Sequence, residues 1–324
     1  MPDEDGFLIP VGDRNEPDHG KTLSALERSR KGESSLLALF GRADLFPSSI
    51  MRVRRIHADE ELDPAAAERN YINSLPERNA KALKDPNTPK FAKDMHRMNS
   101  GSLTGALSKF HQEIGRSIVI FYTEPGDLVV DPFAGHNSRM ELCVAAGRDY
   151  AGCDLSGEYA HHNFAKRDEL RKKYPNRTVR FFHCDSRDQP IPDEAGDFTI
   201  TSPPYWDIEY YGPEDEQLGF CKTYQDFLEG MRLCIAENFR TLKPGAYSCW
   251  FINDFRRQGV MHFYHRDIID LGKSVGFVPW DIMIVDLGRG LRDGFVNANI
   301  QLKMLPKRHE YCVVFRKPEK PTSD

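Results

Sequence analysis

From about residue 103 onwards, short apolar runs alternate with longer segments in which apolar residues recur at helical spacing. The runs around Val129, Tyr150, Phe181 and Phe198 are bounded by turn residues, which is typical of buried strands. Helical spacing covers residues 110–121, the region around Met140, 159–174, 224–242 and 266–275, and further strands are predicted at 247–253, 280–286 and 310–316. Strands alternating with helices predict a mostly parallel α/β sheet with one antiparallel strand at the end.

The first hundred residues follow a different pattern. Residues 1–34 are rich in Asp, Glu, Gly and Pro and lack apolar periodicity, which predicts a flexible acidic tail. Residues 35–102 contain short helical pieces, which predict a mainly helical N-terminal appendage and a candidate for substrate recognition. The predicted organisation is completed by a main α/β domain over residues 103–318 and a short tail over 319–324.

Composition limits the class of protein and the cellular compartment that we expect. The chain has 324 residues and a formal net charge of −5. It contains no apolar run near the roughly 20 residues that span a bilayer. Its acidic N-terminus is unlike a secretory signal peptide. The seven cysteines form no Cys-x-x-Cys pair, and several fall in apolar runs, which indicates free thiols and no metal site. We expect a soluble, cytoplasmic protein.

The strand around Val129 leads into a glycine loop, residues 131–135, and then into a helical pattern. This order is typical of a nucleotide-like cofactor site, because backbone N–H groups at the helix N-terminus face the ligand. Asp154 ends the next strand and suits ribose hydroxyls, and Asp185 follows a later strand and suits an adenine amine. Each acid alone is more often a helix cap or loop carboxylate. The candidate cofactor-binding residues are Asp131, Pro132, Phe133, Ala134, Gly135, Asp154, Leu155, Asp185 and Ser186.

A rigid turn, Ser202-Pro203-Pro204-Tyr205, follows the strand around Phe198. Two prolines cannot donate to a β-ladder, so the strand is expected to end there. Ser202 Oγ and the Pro203 carbonyl are candidate acceptors for the hydrogens of an amino group on a flat ring. Tyr205 is a candidate to stack on a base flipped out of its helix. A proline-rich surface turn with an aromatic anchor is the alternative interpretation.

These motifs resemble those of the S-adenosylmethionine-dependent amino-methyltransferases that act on DNA, the N4-cytosine and N6-adenine group. Residues 131–135 match the family's Asp-Pro-Phe-x-Gly loop, Asp154 its ribose acid, and Ser202–Tyr205 its catalytic tetrapeptide. The resemblance covers roughly residues 103–318 and implies a doubly wound, Rossmann-like methyltransferase sheet. It also implies S-adenosylmethionine as cofactor, S-adenosylhomocysteine as product, no metal, double-stranded DNA with a flipped base as partner, and a bacterial or phage origin.

Two departures from the family pattern bear on the site. The loop continues Gly135-His136-Asn137-Ser138-Arg139, where the family usually has Gly-Ser-Gly-Thr-Thr. Arg139 is expected to turn outward as an ordinary helix residue or, alternatively, to contact the cofactor carboxylate, a DNA phosphate or a carboxylated variant of the cofactor. The segment between Asp185 and Thr201 is too short for a target-recognition insert. Base reading is therefore expected from the first hundred residues, the loop after Tyr205, or residues 286–308.

Base and DNA contacts are predicted from aromatic and basic side chains. Three basic clusters are candidates, although each is also consistent with an ordinary solvated surface. The clusters are Arg52, Arg54 and Arg55; Lys90, Lys93, His96 and Arg97; and Arg289, Arg292, Lys303, Lys307 and Arg308. The predicted base or DNA contacts are Trp206, Tyr210, Arg289 and Arg292.

The resulting hypothesis is methyl transfer to the exocyclic amine of a flipped DNA base, in restriction-modification or a related role. Serine before the two prolines is more typical of cytosine N4 methylation within the family, so cytosine is preferred over adenine N6. An RNA base methyltransferase and a non-catalytic nucleic-acid-binding protein of methyltransferase-like fold stay open. The pattern does not distinguish a monomer from a homodimer.

Overall fold

The structure is a computed structural model that describes residues 49–52, 111–208, 211–287, 303, 305, 307 and 309–319. The strands are β1 (Ile50–Arg52), β2 (Leu128–Asp131), β3 (Asp149–Asp154), β4 (Val179–His183), β5 (Gly196–Thr201), β6 (Leu242–Ile252), β7 (Phe255–Arg257), β8 (Val260–His262), β9 (Val278–Asp286) and β10 (His309–Arg316). The α-helices are α1 (Gln112–Tyr122), α2 (Ser138–Ala145), α3 (Gly157–Lys173), α4 (Tyr224–Thr241) and α5 (Tyr264–Val275).

Among the described residues, eight strands form one sheet in the order β1-β9-β10-β6-β5-β2-β3-β4. All neighbouring strands are parallel except β10, which is antiparallel to both β6 and β9. The predicted antiparallel strand at the end of the chain is thereby confirmed, and it lies between two parallel neighbours. Because β2 pairs with β3 on one side and β5 on the other, the chain direction across the sheet reverses there. Ligands of open α/β sheets bind at the carboxyl ends of strands beside such a switch point.

Side chains of the strands alternate between two buried layers. Cys249 and Phe251 pack in the layer that includes residues of α1, α2 and α3, whereas Trp250 packs in the layer with α4 and α5. This alternation is the two-residue period of a strand with both faces covered. The doubly wound, mostly parallel α/β prediction is confirmed.

The helix ends follow local sequence signals. Ser156 caps the start of α3 by accepting the Tyr159 N–H at 3.5 Å. The helix ends before Pro175, because a proline disfavours the helical conformation in the residue that precedes it. Thr223 caps α4 by accepting the Asp226 N–H at 3.1 Å. α5 ends at Gly276, whose φ of +109° is the left-handed conformation that glycine adopts without a Cβ clash. These signals explain why the predicted helices match the observed ones closely.

Two observed elements were not predicted. β7 and β8 form a short antiparallel hairpin directly after β6, and its turn contains Gln258 and Gly259 at positive φ. β1 pairs in parallel with β9, so residues 50–52 of the predicted helical appendage extend the sheet. The predicted acidic tail and the rest of the appendage, including the basic residues at 54, 55 and 90–97, lie outside the described residues.

The cysteines are free thiols, as predicted, and Cys143, Cys153, Cys234, Cys249 and Cys312 are buried. No helix in the described part of the chain is long and apolar enough to cross a membrane. In the same part, no group of three or more His, Cys, Asp or Glu side chains is arranged to hold a metal ion.

Candidate active site

The buried carboxylate of Asp131 joins the glycine loop to the Ser-Pro-Pro turn. Its Oδ2 accepts the Arg139 Nε–H at 2.7 Å and the Tyr150 hydroxyl at 2.9 Å. Its Oδ1 accepts the Thr201 hydroxyl at 2.7 Å and the Phe133 N–H at 3.3 Å. Thr201 directly precedes the candidate catalytic turn, Ser202–Tyr205, so one carboxylate connects the end of β5 to the loop after β2. Asp131 is fully buried, and its four donors supply the partners that a buried charge requires.

Arg139 points inward, which contradicts the expected outward orientation. Its side chain is 7% exposed, and its guanidinium binds Asp131 and donates a second hydrogen bond to the Phe133 carbonyl. The side chain turns inward because the carboxylate of Asp131, at the end of β2, needs a cation and lies within reach of the first turn of α2. Arg139 therefore stabilises the conformation of the glycine loop, residues 131–135, from the buried side. A contact with the cofactor carboxylate or a DNA phosphate stays a prediction.

The glycine loop is fastened to the neighbouring strand by Asp154. The Asp154 carboxylate accepts the Gly135 N–H at 2.6 Å and the Ser156 N–H at 2.9 Å. Gly135 has a φ of +50°, which a residue with a side chain adopts only with strain. Burial raises the pKa of Asp154 to about 6, although both hydrogen bonds oppose the shift. The predicted ribose acid thus lies against the predicted glycine loop.

Asn163 supports the same loop from α3. Its Nδ2 donates to the Gly135 carbonyl at 2.6 Å and to the Tyr159 carbonyl at 2.9 Å. Its Oδ1 is buried and has no hydrogen-bond partner among the described residues. An orphaned buried acceptor costs about 1–3 kcal/mol, which marks it as a group that a ligand can satisfy.

Ser186 and Asp185, both predicted to bind the cofactor, have hydrogen-bond partners within the protein. Ser186 is buried and its hydroxyl donates to the Pro132 carbonyl, so it fixes the loop. The Asp185 carboxylate binds the Arg187 guanidinium through both oxygens and also accepts the Arg187 N–H at 2.8 Å. Its role toward an adenine amine stays a prediction, and it requires Arg187 to share that carboxylate.

The loop after the Ser202–Tyr205 turn contacts the start of α3. Glu214 Oε1 accepts the N–H of Gly157, the first residue of α3, at 2.8 Å. Nearby, His183 Nε2 lies 2.9 Å from the carbonyl oxygen of Leu155. Ala134 donates its N–H to the Cys153 carbonyl at 2.8 Å, which completes the attachment of the loop to β3. Glu214 is 57 residues from Gly157 in sequence, so no local pattern indicated this contact.

The catalytic turn is held by two tyrosines. The Tyr264 hydroxyl, at the start of α5, donates to the Pro204 carbonyl at 3.1 Å. The Tyr205 N–H donates to the Tyr211 hydroxyl oxygen at 3.2 Å. Sequence reasoning missed Tyr264 because a buried aromatic residue at the start of a helix is usually a core residue. With the Pro204 carbonyl engaged, the Pro203 carbonyl and the Ser202 hydroxyl are the acceptors that the turn leaves for a substrate. The Ser202 hydroxyl makes no hydrogen bond to any described residue.

Tyr205 and Trp206 lie in an aromatic cluster beside the turn. The Tyr205 ring contacts Tyr264 and Phe255, with centroids 5.8 Å and 6.3 Å away. Trp206 has a φ of +40°, its indole N–H donates to the Cys221 carbonyl at 2.9 Å, and its ring contacts Tyr224 at 5.5 Å. A bulky residue persists in this strained conformation only where its surroundings determine it. The base contact predicted for Trp206 stays a prediction, and so do those for Tyr210, Arg289 and Arg292, which lie outside the described residues.

The comparisons with known proteins agree with this geometry. A sequence profile of the DNA methylase family matches residues 107–166 and 197–324, together more than half of the chain. DNA adenine methyltransferase YhdJ of Escherichia coli (strain K12) is 36% identical over 44 residues, which are 14% of this chain and 15% of that protein. Type II methyltransferase M.Cfr9I of Citrobacter freundii is 35% identical over 63 residues, 19% of this chain and 21% of that protein. The chain therefore matches about a fifth or less of the length of these relatives.

Among solved structures, a SAM-dependent methyltransferase from Methanosarcina mazei is 15% identical, with 63% of this chain and 98% of that chain covered at a TM-score of 0.42. A similarity of this size supports no residue-by-residue comparison. The inserted antiparallel strand and the glycine loop at the switch point define a Rossmann-like α/β fold of the methyltransferase type. The profile match shows that the chain belongs to the DNA methylase family.

Proposed function

We propose that this chain transfers a methyl group from S-adenosylmethionine to the exocyclic amine of a base flipped out of duplex DNA, with cytosine N4 as the preferred acceptor. The observation that carries the proposal is the Asp131 carboxylate, which binds the glycine loop through the Phe133 N–H and the catalytic turn through the Thr201 hydroxyl. A donor site and an acceptor site held by one buried side chain are the geometry that a direct transfer requires.

The described residues fit the nucleoside part of this cofactor. Asp154 uses one lone pair on each oxygen for the Gly135 and Ser156 N–H groups, which leaves acceptor capacity for two hydroxyl donors. Asn163 Oδ1 supplies a further buried acceptor beside the glycine loop. When bound, the cofactor supplies an electrophilic methyl group on a sulfonium. Asp154, Gly135 and Asn163 are the residues proposed to hold it.

On the acceptor side, the chain must orient a weakly nucleophilic amine. Ser202 Oγ and the Pro203 carbonyl are proposed to accept hydrogen bonds from the amine as positive charge develops on its nitrogen. Tyr264 contributes by engaging the neighbouring Pro204 carbonyl, so the turn keeps one orientation. Tyr205 is proposed to stack on the flipped base, and the released proton passes to water.

Serine at the first position of the turn favours cytosine over adenine. The hydroxyl of Ser202 has no partner among the described residues, so it is available to a pyrimidine amine. The relatives include one protein named as an adenine methyltransferase, so the acceptor base is the part of the proposal that the test must decide.

The test incubates the purified chain with S-adenosylmethionine labelled in the methyl group and, in parallel reactions, with unmethylated duplex DNA or with RNA. Each nucleic acid is then digested to nucleosides, which are identified by mass spectrometry. We expect labelled N4-methylcytosine. Label in N6-methyladenine would overturn the cytosine preference, label only in RNA would overturn the DNA substrate, and no transfer to either would overturn the enzyme proposal.

Two serine variants sharpen this test. Ser202→Ala removes a proposed acceptor and is expected to lower the transfer rate about 10²-fold, as loss of one transition-state hydrogen bond does elsewhere. Ser274→Ala is the matched control, because Ser274 is exposed on α5 and its hydroxyl bonds only to the Leu271 carbonyl of its own helix, at 2.7 Å. Equal rates for the two variants would remove Ser202 from the mechanism.

A further inference from the structure

Two polar side chains at the carboxyl end of β6 and the start of β10 have no role in the site described so far. Asn253 directly follows β6, and Glu310 is the second residue of β10. The last pair of the antiparallel ladder is Tyr311 with Ile252, and the same register continued by one residue brings Glu310 opposite Asn253. Neighbouring strands lie about 4.8 Å apart, which places the two side chains side by side.

Strand alternation, continued by one residue beyond β5 and β6, assigns both residues to the same face of the sheet as Ser202. Phe198 and Ile200 of β5 pack in the layer with α1, α2 and α3, and alternation assigns Ser202 to that layer. By the same alternation, Asn253 follows Phe251 and Glu310 precedes Cys312 on this face. Thr201 pairs with Trp250, which puts Ser202 beside Phe251 and two residues short of Asn253. With strand spacings of about 4.8 Å and 3.3 Å per residue, Asn253 is roughly 8 Å from Ser202, a span that a base ring fills.

Neither polar group is satisfied by the described protein. Asn253 Oδ1 is buried and has no hydrogen-bond partner. The Glu310 carboxyl forms no hydrogen bond or ion pair with a described residue. Burial raises the pKa of Glu310 to about 7, and Arg139 of α2 partly opposes the shift. The neighbours that the sheet register gives it are Cys312 on its own strand, Asn253 just after β6 and Val285 on β9, and none of these is a cation. A buried acceptor without a partner, such as Asn253 Oδ1, is rare and points to a missing ligand.

We propose that Asn253 and Glu310 form a polar wall that binds the ring edge of the target base, with the Glu310 carboxyl donating to the ring nitrogen and Asn253 Oδ1 accepting one amine hydrogen. The inference rests on the proposed function. Cytosine and adenine both present an amine next to an unprotonated ring nitrogen, so this pair recognises an amino-bearing base. Guanine, thymine and uracil carry a hydrogen on the corresponding ring nitrogen, and the carboxyl hydrogen meets a second donor there.

In this proposal the Ser202–Tyr205 turn and the Asn253–Glu310 pair have different roles. Ser202 and Pro203 orient the second amine hydrogen and the attacking nitrogen, whereas Asn253 and Glu310 select the base and hold its edge. Glu310 and Asn253 are therefore specificity-determining residues. Glutamine at position 310 also carries a donor of similar shape, but it does not ionise.

The test measures KM for a duplex DNA substrate, kcat, and cofactor affinity between pH 6 and pH 9 for the full chain. For the wild type we expect KM for DNA to rise up to about tenfold per pH unit above the Glu310 pKa, because the ionised carboxylate no longer donates. Glu310→Gln should keep a KM that does not vary with pH. Glu310→Leu and Asn253→Leu should lower kcat/KM about 10- to 100-fold, the usual effect of losing a base-edge contact.

Control measurements separate this inference from a structural effect. Glu158→Gln, on the exposed side of α3, should keep the wild-type pH profile. Cofactor affinity measured by calorimetry should be unchanged in Glu310→Gln and Asn253→Leu. Identical pH profiles for the wild type and Glu310→Gln, with normal methyl transfer, would overturn the inference and leave the proposed function standing. Absence of transfer by the wild type would overturn both.

Discussion

At the scale of single residues, Asp131 connects the two halves of the site. Its carboxylate accepts hydrogen bonds from a loop backbone, a helix cation, a strand hydroxyl and the residue before the catalytic turn. The sequence identified Asp131 as a cofactor residue, but all four of these donors come from the protein. Its main contribution is to hold the glycine loop and the turn in one geometry.

Asp131→Asn is expected to lower the free energy of unfolding by about 3–5 kcal/mol, because it leaves the buried Arg139 guanidinium without its counter-charge. Denaturation in urea measures this loss. Asp193→Asn is the matched control: it breaks the ion pair with Arg240, in which the Asp193 side chain is 76% exposed, and should cost under about 1 kcal/mol. Equal losses for both variants would show that the Asp131 pair is energetically ordinary.

At the scale of elements, α5 reaches the catalytic turn through its first residue. Tyr264 is fully buried, and its hydroxyl bonds to Pro204, 60 residues away in sequence. The β7–β8 hairpin contacts the same region, with Phe255 against Tyr205 of the turn and Arg257 bound to Asp207 at 2.7 Å. A helix and a hairpin therefore both contact the turn or the residues directly after it.

Tyr264→Phe should reduce kcat about tenfold or more while lowering the unfolding free energy by about 1 kcal/mol, the usual value of one hydrogen bond. Steady-state kinetics and urea denaturation give both values. Tyr224→Phe is the matched control, since its hydroxyl donates to Asp267 at 2.6 Å within the same cluster without touching the turn. If both variants lose the same stability and the same activity, the Tyr264 hydroxyl has no special effect on the turn.

At the scale of the whole molecule, the proposed contact of Asp154 with the cofactor predicts that cofactor binding depends on pH. Burial raises the pKa of Asp154 to about 6, from an ordinary value of 3.8. The folded state therefore holds this proton more tightly than the unfolded state between about pH 4 and pH 6. The contribution of Asp154 to stability is greatest at low pH and is lost as pH rises through that window. Ribose hydroxyls are hydrogen-bond donors and bind an ionised carboxylate better than a protonated one. Binding of a ribose and protonation of the Asp154 carboxyl therefore oppose each other.

Affinity for S-adenosylmethionine should accordingly fall as pH is lowered through about 6, by up to about tenfold per pH unit. Calorimetric titration from pH 8 to pH 5 measures this dependence. Asp154→Asn should bind more weakly at pH 8 and lose the pH dependence. An affinity for the wild type that does not change across this range would contradict the assignment of Asp154 to the ribose.

The sequence alone determined the layered α/β fold, the position of nearly every helix and strand, and the two loops that form the candidate site. These features follow from local signals: apolar periodicity, helix caps such as Ser156, and the prolines that end β5. The hairpin at β7–β8 was missed because its strands are three residues each, too short for a periodic pattern.

Only the tertiary structure decided how the loops are joined. The inward direction of Arg139, the Tyr264 bond to Pro204, and the unpartnered Asn253 beside Glu310 depend on pairs separated by long stretches of chain or by the register of two strands. Periodicity reports which face a residue occupies, but not which side chain it meets across the sheet. That pairing depends on strand order and register, which arise only when the whole sheet is assembled.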